Sequence, residues 1–417
     1  MTITKYSKYK LISLCAITYF ASYFSRKNFA AIMVGMLNDN ILDKSTAGFI
    51  GMSLFICYGF GQLISGYLGD KVNPKLLLAI GLFVSGSCNL LMAFVPSSFM
   101  ILVWGFNGLA QALFWPPILK LLAENLNNED YVTANFVVTS AAHLSTIFLY
   151  LYVPICLKYM SWESVFISSF ILCMVTFVLF IIAMIFILPS SPTTNDEPKQ
   201  TENTVMTQSL KDAFTKGGIV FAFLAIIAMG FLRDGIESWL PTLYSEAFER
   251  DSAESILVSV IMPIFSILSL SVITVLRKKT KVFKNEIAGA LILFIFCSLI
   301  CTVSGLIIGK NHLFFRTVCL VFAAFACASM HSCNFMLISC LPGRFKKTGR
   351  TSTVSGLCNA CTYIGAAASM YGIAIVSDKF GWKITIFSWV GVALFGAVIC
   401  IAYIKKYKKY LQEVEEC

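Results

Sequence analysis

Two arginines inside long apolar segments are the residues whose type and position point most clearly to chemistry. Arg26 and Arg233 lie well inside predicted membrane spans, where a charged side chain costs about 2.5–3.5 kcal/mol on insertion scales. A buried arginine keeps its proton, and its planar fork fits the oxygens of a phosphate. Two such groups balance the charge of about −1.5 to −2 on a phosphate monoester. The pair therefore predicts an anion site. A structural arginine held by carbonyls or a carboxylate is the alternative, which Asp234 and Glu237 keep open for Arg233.

Several polar and aromatic residues are candidates to complete this site. Tyr19 and Tyr23 share a helical face with Arg26, so their hydroxyls could bind an anion, with aromatic packing as the alternative. His143 and, more weakly, His331 are candidate ligands or proton carriers, although an intramembrane histidine can also be a satisfied polar residue. The candidate substrate-binding residues are Arg26, Arg233, His143, Tyr23, Tyr19, Lys27, Gln62, Trp115, Asp234, Glu237 and His331.

Composition defines the elements that must position these residues. Of 417 residues 58% are hydrophobic and only 13% are charged, whereas an ordinary soluble domain carries about 25% charge. The apolar residues form long unbroken runs, which excludes a transmembrane β-barrel and predicts an all-α membrane protein with twelve spans, the first at 9–36 and the last at 381–404. The net charge of +10 is dispersed in small clusters, so no nucleic-acid partner is expected.

The distribution of basic residues predicts the orientation in the membrane. With the amino terminus inside, the inner segments carry about three times as many of the 32 lysines and arginines as the outer segments. Both termini are therefore expected to be cytoplasmic, in a multi-pass protein of the cytoplasmic membrane, and the apolar segment after Lys10 is expected to be a retained span rather than a signal peptide. The fifteen cysteines mostly lie singly inside apolar runs, which is typical of small buried side chains.

A polar segment divides the chain into two halves. Residues 189–210 are rich in proline and threonine, which is typical of a flexible linker. We predict an amino-terminal six-helix bundle over 1–188, a cytoplasmic linker over 189–215 and a carboxy-terminal six-helix bundle over 216–417. The paired positions of Arg26 and Arg233 favour two related halves, as in secondary transporters built from parallel repeats.

Two further motifs concern conformation rather than substrate. The segment GYLGDKVNPK predicts a conformational latch at the inner membrane edge, formed by Gly66, Asp70, Lys71 and Lys75. Trp115 begins a Trp-Pro-Pro sequence that interrupts helical hydrogen bonding, which could line a cavity or simply kink the helix. No nucleophile elbow, nucleotide-binding loop or zinc-ligand spacing is present, so we expect no enzyme, no cofactor and no metal site.

Together, these motifs resemble those of a known transporter family. The segment GYLGDKVNPK resembles the loop motif of the major facilitator superfamily, with Asn73 where glycine is usual. The whole chain resembles the organophosphate:phosphate antiporter family, which includes glycerol-3-phosphate and hexose-phosphate transporters. The segments that carry this resemblance are YFASYFSRKNFA (19–30), NGLAQALFWPP (107–117), AAHLS (141–145) and FLRDGIESWLPTLY (231–244).

The resemblance implies a role for each matching residue and also reveals differences. In that family the arginines that match Arg26 and Arg233 bind phosphate, and the histidine that matches His143 is implicated in substrate binding. Tyr23 matches a family tyrosine near the site. Gln62 stands where glycerol-phosphate carriers have lysine. The implied fold is two pseudo-symmetric six-helix bundles. Further differences are the acids beside Arg233, the sequence MHS at 330–332, and the eroded second-half loop LRKKTKVFK at 276–284.

Three functional hypotheses follow. The favoured one is a monomeric antiporter in the lipid bilayer that exchanges a small organic phosphate for inorganic phosphate by alternating access. The second is a proton-coupled facilitator of another organic anion, for which Asp234, Glu237 and His143 supply titratable groups. The third is a non-transporting sugar-phosphate sensor, because the resembling family includes such receptors.

Overall fold

A computed structural model describes residues 5–187, 218–310, 312–348 and 351–416, and nearly all of these residues are helical. The first seven helices are α1 (Lys5–Asn38), α2 (Lys44–Lys71), α3 (Pro74–Met92), α4 (Ser97–Gln111), α5 (Trp115–Asn125), α6 (Asn128–Tyr159) and α7 (Glu163–Ile187). The others are α8 (Ile219–Phe248), α9 (Ser252–Val258), α10 (Ile261–Lys279), α11 (Lys281–Lys284), α12 (Glu286–Ile307), α13 (Leu313–Asn334) and α14 (Thr351–Glu416). A π-helical turn, Phe335–Cys340, and a 3₁₀ turn, Leu341–Thr348, follow α13.

These helices confirm the predicted all-α membrane fold. Within the described residues, ten stretches are long and apolar enough to cross a membrane by length and composition. One of them, Val354–Tyr410, contains Gly381 with a φ of 76°, so α14 is two helices joined at a glycine that adopts the left-handed conformation. Helix α1 has 34 residues and includes Arg26 and Lys27 within its apolar part. Counting α1 and both parts of α14 gives the predicted twelve spans.

The helix ends follow the capping chemistry of the sequence. Asn127 begins α6 by accepting a hydrogen bond from the backbone N–H of Asp130, and Asn285 begins α12 by accepting two such bonds. At the start of α1, Lys8 Nζ donates to Asp130 Oδ1 at 2.6 Å, and this hydrogen bond raises the pKa of Lys8. The ends of α1 and α6 are thus fixed to each other.

The described chain forms two compact units whose limits differ from those of the sequence halves. The first unit contains Met1–Ser190, Ser238–Ile264 and Met370–Asp378, and the second contains Ser191–Glu237, Phe265–Ser369 and Lys379–Cys417. The predicted linker, 189–215, lies outside the described residues, so the predicted division into 1–188 and 216–417 remains a prediction.

The first unit includes a polar contact that we call the clasp, formed by Asn38, Lys44, Ser245, Glu246 and Ser252. Asn38 Nδ2 donates to Ser252 Oγ at 2.8 Å and to Ser245 Oγ at 3.3 Å, and Lys44 Nζ lies 2.6 Å from Glu246 Oε2. The clasp therefore fixes the turn between α1 and α2 to the end of α8 and the start of α9.

The clasp continues into an apolar contact within the same unit. The ring centroids of Phe49 and Tyr371 are 4.0 Å apart. A Cβ atom added at Gly48 would lie 2.8 Å from Ala374 Cβ, so glycine permits the close approach of α2 to this part of α14.

The second unit contains a helix crossing that sets the position of Arg233. A Cβ atom at Gly230 would collide with the backbone of Thr362, and one at Gly365 would collide with the carbonyl of Ile227. The two glycines therefore allow α8 and α14 to pack backbone against backbone one turn before Arg233.

A buried carboxylate organises another part of the second unit. Glu286 has a side chain that is 1% exposed, and its Oε1 lies 3.1 Å from both Arg277 Nη2 and Arg344 Nη2. Tyr407 donates its hydroxyl proton to Glu286 Oε2 at 2.9 Å. We call these four residues the Glu286 cluster; it joins the ends of α10, α12 and α14 to the 3₁₀ turn.

Candidate functional site

Aromatic rings surround Arg26 in the first unit. The guanidinium carbon of Arg26 lies 4.2 Å from the ring centroid of Tyr23 and 5.1 Å from that of Tyr58. Contacts of this kind stabilise a cation by about 0.5–2 kcal/mol, and the rings carry no net charge of their own. Tyr23 precedes Arg26 by nearly one helical turn of α1, whereas Tyr58 comes from α2 and was missed by sequence analysis because no local pattern links it to Arg26.

Further aromatic contacts extend from Tyr23. The centroids of Tyr19 and Tyr23 are 4.9 Å apart, and those of Tyr19 and Trp115 are 5.2 Å apart. Trp115 is the first residue of α5, which begins with a Pro-Pro pair after a break that follows α4. The proline break therefore places Trp115 against Tyr19, a buried residue of α1. Aromatic packing, the alternative noted for Tyr19 in the sequence, is thus present.

A neutral hydrogen-bond network fixes the helix that carries Arg26. Asn28 Nδ2 donates to Asn89 Oδ1 at 2.6 Å and to Ser169 Oγ at 2.8 Å, and Gln111 Nε2 donates to Ser85 Oγ at 2.8 Å. The members of this neutral network are buried and come from α1, α3, α4 and α7. They are Ser25, Asn28, Ser85, Asn89, Asn107, Gln111 and Ser169. Since each amide has a partner, the network fixes the rotation of α1 and therefore the direction of Arg26.

The structure places the other candidates of the first half within the same unit. Lys27 and Gln62 are buried, and Gln62 Nε2 donates to the carbonyl of Ala112 at 3.5 Å. His143 is half-buried on α6. Two residues further on, Ser145 Oγ donates to the carbonyl of Phe20 at 2.7 Å, which ties this part of α6 to α1.

An ion pair surrounds Arg233 in the second unit. Arg233 Nη2 lies 2.6 Å from Asp234 Oδ2, and Nη1 donates to Asn334 Oδ1 at 2.7 Å. The two charged side chains are only 11% and 7% exposed. The structural alternative noted for Arg233 is therefore present, because a carboxylate balances its charge, while Asn334 orients the guanidinium from α13. Sequence analysis missed Asn334.

A second polar group lies one helical turn beyond Arg233. Glu237 Oε2 is 3.8 Å from His331 Nε2. The sulfur atom of Cys327 lies within 4.8 Å of a side-chain oxygen of Glu237 and a ring nitrogen of His331. Cys327 Sγ also lies 3.7 Å from the backbone carbonyl oxygen of Arg233. Cys327 and His331 are four residues apart on α13, a spacing that was visible in the sequence but was not used there.

The predicted site residues thus fall into two sets, one in each unit. The set in the first unit comprises Tyr19, Tyr23, Arg26, Lys27, Gln62, Trp115 and His143, to which the structure adds Tyr58 beside Arg26. The other set comprises Arg233, Asp234, Glu237 and His331, to which it adds Asn334 and Cys327.

Three members of the predicted latch, Gly66, Asp70 and Lys71, lie outside the residues whose side chains the structure describes. The described part shows Asn73 capping α3, since its Oδ1 accepts from the backbone N–H of Lys75 at 3.0 Å.

Family comparison identifies the class of protein. Residues 15–370 match the Major Facilitator Superfamily model, and the chain belongs to that superfamily.

Several proteins of known name are similar in sequence to parts of this chain. A probable hexose phosphate transport protein of Chlamydia trachomatis serovar D is 28% identical over 174 residues, covering 41% of this chain and 38% of that protein. The glycerol-3-phosphate transporter of Bacillus subtilis is 28% identical over 251 residues, covering 55% of this chain and 56% of that protein. Membrane sensor protein UhpC of Escherichia coli is 32% identical over 101 residues, covering 24% and 23%.

These names agree with the resemblance to the organophosphate:phosphate antiporter family, and the hexose phosphate and glycerol-3-phosphate relatives are transporters rather than enzymes. The matches span between about a quarter and a little over half of each relative's length.

Solved structures support the same fold over the whole chain. A bacterial homologue of the human lysosomal transporter Spinster, in an inward-facing unoccupied conformation, gives a TM-score of 0.70 over 99% of this chain and 98% of its own, at 11% identity. The nucleoside transporter NupG gives 0.70 over 96% of this chain and 99% of its own, at 15% identity. At these identities the likeness concerns the fold. With its many apolar helices, the chain is a multi-pass membrane protein.

Proposed function

We propose that this protein is a secondary active transporter that exchanges an organic phosphate, of the sugar phosphate or glycerol phosphate type, for inorganic phosphate. The observation that carries the proposal is the occurrence of one arginine deep in the apolar part of α1 and another near the middle of α8. Such positions are costly, and in membrane proteins they mark sites for ions or substrates. The names of the curated relatives support phosphate esters as the substrate class.

Arg26 and Arg233 are the proposed phosphate ligands, with different parts in the cycle. Arg26 lies among tyrosine rings, which hold a cation without adding a negative charge. Asp234 balances Arg233, so phosphate must share or replace this carboxylate at Nη2. Asp234 thus acts as an internal counterion that lowers the cost of the buried arginine between substrates. His143, Lys27 and Gln62 complete the proposed site.

The transport cycle that we propose is alternating access by two six-helix halves, 1–188 and 216–417, joined by a cytoplasmic linker. The protein is proposed to act as a monomer in the cytoplasmic membrane with both termini inside. The clasp in the first unit would then lie on the outer side, where its hydrogen bonds and ion pair must break to open the pathway. The segment with Gly66, Asp70, Lys71 and Lys75 is the proposed latch on the inner side.

Exchange in proteoliposomes tests this function. Vesicles are loaded with inorganic phosphate, and uptake of labelled phosphate, glycerol 3-phosphate and hexose 6-phosphates is measured for the wild type, Arg26→Lys and Arg233→Lys. Each hydrogen bond to a charged group is worth about 1.5–3 kcal/mol, so each variant should lose on the order of 10- to 100-fold in exchange rate. Arg316→Lys, in the first turn of α13, is the matched control and should retain exchange. Wild-type rates in both arginine variants would refute the proposal.

Two other functions have specific support and are separated by the same assay. The 3.8 Å approach of Glu237 and His331 supports proton-coupled uptake of another organic anion, which would depend on a pH gradient and ignore internal phosphate. The likeness to membrane sensor protein UhpC supports a sugar-phosphate sensor, which would bind ligand without flux.

A further inference from the structure

Three potential metal ligands of different chemistry converge in the second unit. Glu237 on α8 and Cys327 and His331 on α13 offer ligand atoms that all lie within 4.8 Å of one another. Glu237 Oε2 and His331 Nε2 are 3.8 Å apart. Glu237 and Cys327 are buried, and His331 is half-buried. The cysteine and histidine are separated by four residues, so both face the same side of α13.

This arrangement fits the coordination geometry of a small divalent metal ion. Zn²⁺ is held tetrahedrally by sulfur, nitrogen and oxygen atoms at about 2.0–2.3 Å, which places neighbouring ligand atoms roughly 3.3–3.8 Å apart. The distance of 3.8 Å between the glutamate oxygen and the histidine nitrogen is already at the upper end of this range. The other separations exceed the range by at most about 1 Å, which side-chain rotation can close. Three protein ligands leave a fourth tetrahedral position for water or an anion, as in sites where zinc binds exchangeable ligands.

We propose that Glu237, Cys327 and His331 bind a divalent transition metal ion of the Zn²⁺ class. On binding, the thiol of Cys327 gives its proton to solvent and its sulfur bonds to the metal, so its contact with the carbonyl of Arg233 ends. His331 binds through a ring nitrogen and Glu237 through a carboxylate oxygen. No electron transfer is involved, since Zn²⁺ is not redox-active.

The metal site differs in its requirements from the phosphate site. It needs neither Arg26 nor Arg233, so it can be tested without any transport assay. The two sites are nevertheless coupled, because the metal ligand Glu237 lies one helical turn after Arg233. A divalent ion that displaces one thiol proton makes the surroundings of Arg233 more positive by one charge. Where the proposed transport function holds, bound metal is therefore expected to raise phosphate affinity.

Co²⁺ titration of the purified full chain in detergent tests the metal site. After treatment with a chelator, the wild type should bind one Co²⁺ with a thiolate-to-metal charge-transfer band and release of one proton. Cys327→Ser should abolish the band, and His331→Ala and Glu237→Gln should each weaken binding by on the order of 100-fold. The matched controls are Cys333→Ser, a buried cysteine of the same helix, and His312→Ala, the residue that caps α13; both should keep the band.

Two results would overturn the assignment. One is the absence of a charge-transfer band in the wild type, and the other is a band of unchanged intensity in Cys327→Ser, since the sulfur would then come from another cysteine. A fold check by thermal denaturation without metal accompanies each variant. In Cys327→Ser, loss of metal binding with intact phosphate exchange supports the metal site on its own. Metal binding by a wild type that shows no exchange would leave the metal site standing and remove the proposed transport function.

Discussion

The two units hold their deeply placed arginines by different means. In the first unit, tyrosine rings lie against Arg26, and neutral amides and hydroxyls fix the helix around it. In the second, a carboxylate lies against Arg233, and another carboxylate, Glu286, joins two further arginines. The described contacts of the two arginines therefore differ, with aromatic rings beside Arg26 and a carboxylate beside Arg233.

The difference teaches how a buried positive charge can be stabilised by uncharged neighbours and by a charged one. Aromatic rings and an oriented network stabilise Arg26 without adding negative charge. The Asp234 carboxylate stabilises Arg233 but competes with an incoming anion. Removing the negative charge of Asp234 is therefore expected to strengthen phosphate binding at Arg233.

The largest expected effect concerns the Glu286 cluster. Replacing both partners in Arg277→Ala/Arg344→Ala leaves the buried Glu286 carboxylate without arginine, which should lower the free energy of unfolding by about 3–5 kcal/mol. Thermal denaturation in detergent, followed by tryptophan fluorescence, measures this loss.

Two further variants sharpen that result. Adding Glu286→Gln to the double variant should restore part of the stability, because the uncompensated charge is then absent. Lys278→Ala/Lys279→Ala removes two exposed charges nearby and should have little effect. A triple variant that is no more stable than the double would show that the second unit does not depend on this ionic contact.

Removal of the counterion of Arg233 should produce the next largest effect. Asp234→Asn keeps an oxygen beside Nη2 but removes the negative charge, so phosphate should bind about tenfold more tightly, equivalent to about 1.4 kcal/mol. Equilibrium binding of labelled phosphate measures the change. Asp251→Asn is the control, since asparagine still caps α9 and the charge removed is elsewhere. Weaker binding in Asp234→Asn would mean that Asp234 orients Arg233 rather than competing with substrate.

Removal of an aromatic ring beside Arg26 should produce a smaller change in phosphate binding. Tyr23→Leu removes the ring 4.2 Å from the Arg26 guanidinium carbon, which should weaken phosphate binding by about 2- to 30-fold for a cation–π contact of about 0.5–2 kcal/mol. Tyr23→Phe keeps the ring and should stay within about twofold of the wild type. Equal losses in both variants would assign the role to the hydroxyl rather than to the ring.

The clasp should give the smallest effect, since its ion pair is partly exposed. Lys44 and Glu246 have side chains that are 16% and 30% exposed, and such pairs contribute about 0.2–1 kcal/mol. Lys44→Ala should change the exchange rate by less than about fivefold. The swap Lys44→Glu/Glu246→Lys should restore the wild-type rate at low salt. Failure of the swap, with Lys44→Ala still altered, would assign the effect to the position of Lys44 rather than to its charge.

Sequence reasoning was most successful where a residue stands out from its neighbours. A charge within an apolar run is visible without any structure, so Arg26, Arg233, Asp234 and Glu237 could be named as candidates, whose roles stay predictions. The all-α membrane fold was predicted correctly. The Trp-Pro-Pro break was also visible, because proline removes a backbone donor and ends α4 before α5.

The missed residues are those that matter through distant contacts. Tyr58 and Asn334 reach the arginines from other helices, and nothing in their local sequence indicates this. Asn28 and Asn89 were also not predicted, because the two hydrogen-bonded amides are 61 positions apart in the sequence. The loop that seemed eroded in the second half precedes Glu286, whose partners come from three separate segments.

The clasp has a consequence for any attempt to divide this protein. Residues 238–264 and 370–378 follow the predicted linker in the chain but group with the first unit. A fragment that ends at the linker would lack the partners of Asn38 and Lys44 and the surface that faces Gly48. The fragment that ends at the linker should therefore be unstable alone. It should recover when it is produced together with the fragment that follows, because that fragment encodes residues 238–264 and 370–378, which complete the first unit.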